Sequence, residues 1–147
     1  MMKIETKYQG EVELKEEETL HFPQGVFGFP EEKKFVVLPL TEDQSLFTLQ
    51  SLKTTGLAFV ITSPFQFFPT YEFDLEDHIL EELKIKSQEE IQVFSILTIY
   101  DPFEKTTANL MAPVIINAKE RVAKQVVLNN ANYLTKQPLF QTAKVKG

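Results

Sequence analysis

The chain contains no cysteine, which rules out a disulfide framework and any thiolate metal site. Histidine is almost as scarce, with only His21 and His78, and a zinc or iron centre needs further convergent ligands that no motif here supplies. His78 reads as a surface histidine among acids, and His21, before Phe22 and Pro23, as a partly buried loop contact. No apolar run approaches the ~18 residues of a membrane-spanning helix, and the opening MMKIETKYQG lacks the apolar stretch of a secretory signal. GxSxG, P-loop and GxGxxG patterns are all missing. Gly25 and Gly28, in QGVFG, lack a phosphate-binding context and read as turn positions. Glu16, Glu17 and Glu18 are consecutive and point in different directions, whereas a glycosidase needs two carboxylates facing across a cleft. The expectation is a non-enzymatic cytoplasmic protein with no catalytic residue, cofactor or metal.

What is present is acid, unevenly spread. The formal net charge is −6, but residues 1–118 hold nine lysines against twenty acids, or −11, while residues 119–147 hold five lysines and Arg121 against Glu120, or +5. An acidic body repels nucleic acid, whose binding depends on cations neutralising phosphates, and it attracts basic proteins and speeds their encounter. Such charge also keeps a small domain soluble with no partner at all. The 147 residues fit one domain spanning 1–147, large enough to bury about 68–70% of its unfolded surface.

Short β-branched and aromatic runs dominate. Strands are expected at residues 4–8, at 12–14 beyond the break at Gly10, and at 35–40 (FVVLPL), 46–52, 57–62, 91–99, 110–116 and 123–128. Pro39 and Pro113 fall inside two of these runs, which argues for edges or bulges there. A short charged connection, 117–122, joins the last two runs, and Tyr133 with the QPLF segment at 137–140 is expected to lie over them. Residues 70–101 contain no proline and hold the one convincing helix. Asp74 is its expected N-cap, Leu75, Ile79, Leu80 and Leu83 recur at helical spacing, and Lys84 and Lys86 close it in the sense the dipole favours. Asp74 and His78 would then share a helix face. Ser87 with Glu90 resembles a capping box, but a strand-like run follows at once, so only a turn is expected there. The pattern predicts a mainly β (α+β) fold: a small closed or nearly closed barrel of short antiparallel strands with one capping helix.

Two surfaces are candidates for function. Between residues 72 and 90 eight acids stand against two lysines, and Glu76, Asp77, Glu81 and Glu82 form the polar face of the expected helix, fit for a basic partner. Six aromatic residues, Phe59, Phe65, Phe67, Phe68, Tyr71 and Phe73, fall within fifteen positions. Filling a core is their ordinary use. FQFFP (65–69), however, reads as a loop, and loops lie on surfaces, so Phe65, Phe67, Phe68 and Tyr71 are candidates for an apolar groove that accepts an amphipathic helix. Exposed aromatics also stack RNA bases, a use the local acidity disfavours.

Three blocks, FPQGVFGFPEEKKFVVLPL (22–40), LAFVITSPFQFFPTYEFDL (57–75) and TANLMAPVIINAKERVAKQVVLNNANYLTKQPL (107–139), together resemble the bacterial flagellar assembly factor FliW family over nearly the whole chain. Pro30 stands where an acid is more usual in that family, and Val122 and Ala123 replace a more polar, glycine-containing turn. The resemblance implies a regulator with two protein partners. One is flagellin, bound at its C-terminal helical region before export. The other is CsrA, an RNA-binding translational regulator kept from silencing flagellin messenger RNA, by an effect exerted away from its RNA-contacting residues. Accumulating flagellin would occupy the factor and release CsrA. The recognisable blocks are structural and carry no partner-contact residues with them. A small-barrel nucleic-acid-binding module, with the basic end segment as its footprint, is the alternative. An enzyme acting in the barrel mouth lacks any motif in support.

Overall fold

The computed structural model describes residues 1–129 and 132–140. Asn130 and Ala131, in the third block, and residues 141–147, with Lys144 and Lys146 of the basic end, lie outside the described residues. A separate hairpin opens the chain, β1 (Met2–Glu5) with β2 (Glu11–Leu14). The other strands are β3 (Leu20–His21), β4 (Lys34–Pro39), β5 (Phe47–Ser51), β6 (Ala58–Thr62), β7 (Ile91–Thr98), β8 (Thr107–Ala108), β9 (Val114–Asn117), β10 (Val122–Gln125) and β11 (Gln137–Pro138), with one α-helix, α1 (Asp77–Glu82). Seven strands close on themselves in the order β3, β4, β5, β6, β7, β9, β10 and back to β3, while β8 and β11 extend outward from β7. The fold is the mainly β barrel with one helix that the strand pattern predicts. All pairings are antiparallel except the closing one, where β10 meets β3 in parallel at a single register pair, Val122 with His21.

Closure explains the runs of apolar residues. Strand side chains alternate between faces, and here both faces are covered. Phe35, Leu49, Ile61, Phe94, Val114, Ile116 and Ala123 point into the barrel and pack with Leu20, Phe22 and Val26. On the outside, Val60, Leu97, Ala108 and Leu110 form a second core with Tyr71, Leu128 and Leu139. Ile115 and Val126 form a third, under Ile79 and Leu83 of α1. The buried run of β9, VIIN, is therefore a strand between two cores, which need not alternate in polarity.

Several boundaries move for identifiable reasons. The first strand ends at Glu5 because Thr6 turns the chain: its N–H and Oγ1 both donate to the Gly10 carbonyl, at 2.9 and 2.6 Å. Pro39 lies in a barrel strand, at a point where that strand is locally an edge. Leu40 N–H bonds to Leu46 O, so main-chain groups of alternate residues face β5 and the donor that Pro39 lacks would point the other way. On that side β3 has already ended, and Gln9 Nε2 reaches the Pro39 carbonyl instead. Pro113 precedes β9 rather than interrupting it. Asn109 Oδ1 accepts from the N–H groups of Met111 and Ala112 at 3.1 and 3.0 Å, which holds residues 110–113 out of the sheet. The turn expected at 117–122 closes at Arg121, left-handed at φ 58°, so Val122 and Ala123 belong to β10. His21 is an exposed strand residue, not a loop contact. Gly25 (φ 71°) and Gly28 (φ 87°) are turn positions.

The terminal segment does lie over the strands. β11 pairs with β8, Leu139 is buried, and Leu110 N–H bonds to Leu134 O.

Candidate functional site

The aromatic loop is built on a 3₁₀ turn, Pro64–Gln66, with the proline at its first position, where a missing N–H costs nothing. Tyr71 then turns inward. It is buried, its hydroxyl donates to Leu110 O at 2.6 Å, and its ring meets Tyr133 edge-on at 4.7 Å and Phe73 at 5.4 Å. Burial, with the nearby Tyr133 hydroxyl second, pushes its ionisation far above the ordinary tyrosine range. Tyr133 in turn clamps the neighbouring main chain, donating to Glu72 O at 3.0 Å and accepting from Glu72 N–H at 3.1 Å. Tyr71 is therefore a core pin, and the sequence expectation that exposes it is corrected. Phe67 and Phe68 are half-buried and pack on the second core, Phe67 against Phe140. Of the four proposed anchors only Phe65 is well exposed, at 43%.

The helix is shorter than its periodicity predicts. Glu76, not Asp74, is the N-cap: its carbonyl accepts from Ile79 and Leu80 N–H groups, and Asp74 lies before the helix, so it does not share a helical face with His78. The C-terminal end is set by Lys84, left-handed at φ 58°, after which Ile85 N–H returns to Leu80 O at 2.9 Å, a closing bond typical of helix ends. Lys86 therefore lies beyond the helix. Ser87 accepts from Glu89 N–H and starts a single 3₁₀ turn, the turn expected there.

A buried residue outside the helix holds this end in place. Asn117, fully buried in β9, donates to Leu83 O at 2.7 Å and Lys84 O at 3.1 Å, and its Oδ1 accepts from the N–H groups of Lys119 and Glu120. One amide thus satisfies the two carbonyls left open at the helix end and two donors of the β9–β10 turn. Nothing in the periodicity points to it. The only signal was an amide at the end of an apolar strand.

With Ile79 and Leu83 buried below, α1 presents Glu76, Asp77, His78, Glu81 and Glu82 to solvent. These acids do not all have the same freedom. Glu82 Oε1 lies 2.8 Å from Lys124 Nζ, whose hydrogen bond above all holds the carboxyl below the usual glutamate range, against desolvation and with the lysine charge adding less. Glu76 accepts from Asn129 and lies 3.5 Å from His78 Nδ1. Among the described residues no group of three or more histidines and carboxylates is placed to hold a metal ion, and no helix is long and apolar enough to cross a membrane. Of the basic end segment, Arg121 is engaged with the Glu18 and Ala118 carbonyls and Lys124 with Glu82 and Gln24.

Two grooves flank the segment leading into α1. The first, about 670 Å³, is lined by α1 and the 124–129 stretch together with Gln24, Phe27, Asp74, Leu75 and Glu76. The second, about 560 Å³, lies between the aromatic loop and the far side of the helix, where Phe65, Phe73, Leu75, Leu80, Ile85 and Val93 make it mainly apolar. Asp74 and Leu75 line both and form a common wall. The geometry offers surfaces of different character side by side: a carboxylate-rich face, a groove of mixed polarity and a mainly apolar groove.

The comparisons with known proteins agree on one family. A family model described as FliW protein matches residues 3–139. The chain is 52% identical over 139 residues to the flagellar assembly factor FliW of Geobacillus kaustophilus (strain HTA426), covering 95% of this chain and 96% of that protein. It is 50% identical over 138 residues to the flagellar assembly factor FliW of Bacillus subtilis (strain 168), covering 94% and 96%. A crystal structure of the flagellar assembly factor FliW matches with a TM-score of 0.90 at 48% identity, over 95% of this chain and 98% of that one.

Proposed function

The chain belongs to the FliW family, and on that premise we propose that it is a flagellar assembly factor that works without catalysis, in the cytoplasm, by switching between two protein partners, flagellin and CsrA. The observation that carries this reading is the pairing of surfaces around α1. Exposed Glu76, Asp77 and Glu81 suit a basic RNA-binding protein, and an acidic face held beside a phosphate-binding site repels the phosphates meant for it. The apolar groove suits the C-terminal helical region of flagellin, whose apolar stripe is an aggregation hazard until export. In this groove Phe65, Phe73, Leu75 and Leu80 take over as anchors from the buried Tyr71 and the half-buried Phe67 and Phe68. Asp74 and Leu75 line both grooves, so partners bound on the two sides of this wall would abut, which supports a switch.

The test uses purified partners on a biosensor. CsrA association should slow as salt rises, because the Debye length shrinks from ~10 Å at 0.1 M to ~3 Å at 1 M, and in the triple variant Glu76→Lys, Asp77→Lys, Glu81→Lys. Glu82 is left intact because a lysine there would face Lys124. Phe65→Ala should weaken flagellin binding about tenfold or more while leaving the melting temperature nearly unchanged, whereas Tyr71→Ala should lower the melting temperature. On-rates for CsrA that ignore both salt and charge reversal would reduce the acidic face to a solubility device. Unaltered flagellin affinity in Phe65→Ala would move its docking site elsewhere.

A further inference from the structure

The barrel closes at its weakest joint, and that joint leaves a strand edge open. His21 N–H donates to Arg121 O at 2.9 Å and Val122 pairs with His21. The next residue of β3 in line to donate is Pro23, which has no N–H, so the ladder stops and the chain turns away toward Gly25. The end of β10 and the residues that extend it, 126–128, continue alone on that side. Their other side is paired: Val126 N–H bonds to Pro113 O and Leu128 N–H to Met111 O, both at 2.9 Å. Main-chain groups of successive strand residues face opposite ways, so those of Gln125 and Val127 face the first groove. Among the described residues no other main chain bonds to them there; the neighbouring loop reaches Gln125 only through its buried side chain, whose Oε1 accepts from Phe27 N–H at 3.0 Å.

The groove is shaped around this edge. Phe27 and Val127, respectively 52% and 47% exposed, line it together with Leu75. Lys124, whose Nζ is bonded to Gln24 and Glu82, also lines it. The free charge near the groove is acidic, with Asp74 and Glu76 lining it and Asp77 and Glu81 exposed on α1; His78 is the one titratable base among them. An exposed edge with unpaired donors and acceptors templates another strand, and a strand added to a sheet edge takes affinity from its main chain and specificity from alternate side chains.

We propose that β10 is a docking strand for an extended cationic segment of a partner polypeptide, one in which lysine or arginine alternates with apolar residues. Its main chain pairs with Gln125 and Val127, its apolar side chains rest on Phe27, Val127 and Leu75, and its cations face Asp74, Glu76 and Asp77. Charge selects this occupant. A second copy of the chain would bring another acidic wall against the first. The inference shares the charge of α1 with the reading above but rests on a main-chain edge, so the two fail separately: salt-sensitive CsrA binding with no pairing at β10 overturns this one alone.

A fluorescein-labelled peptide of alternating lysine and valine, titrated into the full chain and read by anisotropy, supplies the test. Two further peptides carry N-methyl groups on alternate residues, one along each edge. Strand addition uses one edge of the peptide, so one methylated version should lose about tenfold in affinity and the other little. Bound peptide should also slow amide hydrogen exchange at Gln125 and Val127. Val127→Pro, which deletes one donor, should weaken binding with its circular dichroism unchanged. If that variant does not fold, the methylated peptides still decide. Equal binding by all three peptides would mean attraction by charge alone and overturn the proposal. So would protection of Gln125 and Val127 in the absence of peptide, with the chain running as a dimer.

Discussion

Replacing Asn117 by alanine removes four hydrogen bonds at once, and their surroundings differ enough to set a magnitude. The bond to Leu83 O is fully buried, and the other three are partly buried. A buried acceptor left without a partner costs about 1–3 kcal/mol, and bonds that water can partly replace cost nearer 0.5–1 kcal/mol each. The expected loss is therefore about 3–4 kcal/mol, a large share of the ~5–15 kcal/mol that holds a typical domain together. For a chain of this size that lowers the melting temperature by roughly 10 °C. Urea denaturation followed by circular dichroism measures it directly. Asn117→Asp separates hydrogen bonding from shape. At neutral pH its carboxylate would face the Leu83 and Lys84 carbonyls, which disfavour the charged form, so its folded pKa rises above the unfolded value. The folded state then holds the extra proton, and stability returns as pH falls through that raised pKa, because the protonated acid again has a donor. The alanine variant has no such recovery. A loss below 1 kcal/mol for alanine, or the same pH dependence in both variants, would show that Asn117 does not anchor the helix end.

Two further outcomes follow from single positions. A Cβ on Gly25 would lie 2.5 Å from Phe29 O and 2.6 Å from Pro30 Cα, whereas one on Gly28 would meet nothing within 4 Å; both have positive φ, so Gly28→Ala should cost about 1–2 kcal/mol and Gly25→Ala clearly more, and equal melting temperatures would contradict the close approach. Glu82 is held below the usual glutamate range chiefly by its hydrogen bond from Lys124, so wild type should exceed Glu82→Gln in stability slightly at neutral pH, with the margin vanishing as pH falls through that lowered pKa and shrinking in salt. Melting curves across pH check it, and a margin that grows in acid would refute the pairing.

The strands were legible because β-branched runs between turns have few alternatives, and 46–52, 57–62 and 91–99 agree with β5, β6 and β7 to within a residue or so at each end. What misled was chemistry that periodicity does not see. Leu75, Ile79, Leu80 and Leu83 satisfy a helical period, yet Leu75 precedes the helix, because the backbone becomes helical only after Glu76. A continuous apolar run does not tell which of two cores a strand residue faces, so the aromatic loop read as surface. In space Tyr71 finds a carbonyl at Leu110 and a ring at Tyr133, contacts that span 39 and 62 positions of sequence and leave no local trace. The acidic helix face was legible, since charge needs no partner to be seen, but its division into paired Glu82 and exposed Asp77 and Glu81 depends on where Lys124 lands.

The sparsely bonded seam between β3 and β10 also has a kinetic meaning. Much of the barrel is laid down by neighbours in sequence, β4 to β5 to β6 and β9 to β10, which close short loops. The seam joins groups about a hundred positions apart, such as Phe27 with Gln125 at 98, and an open chain meets such a span late, since the entropy of closure must be overcome before any contact there rewards it. A joint that forms last on few bonds is also the one that opens first, by a local excursion that leaves the rest of the barrel folded. The cylinder is thus built as a rolled sheet with a latch, and amide hydrogen exchange should be fastest along that line.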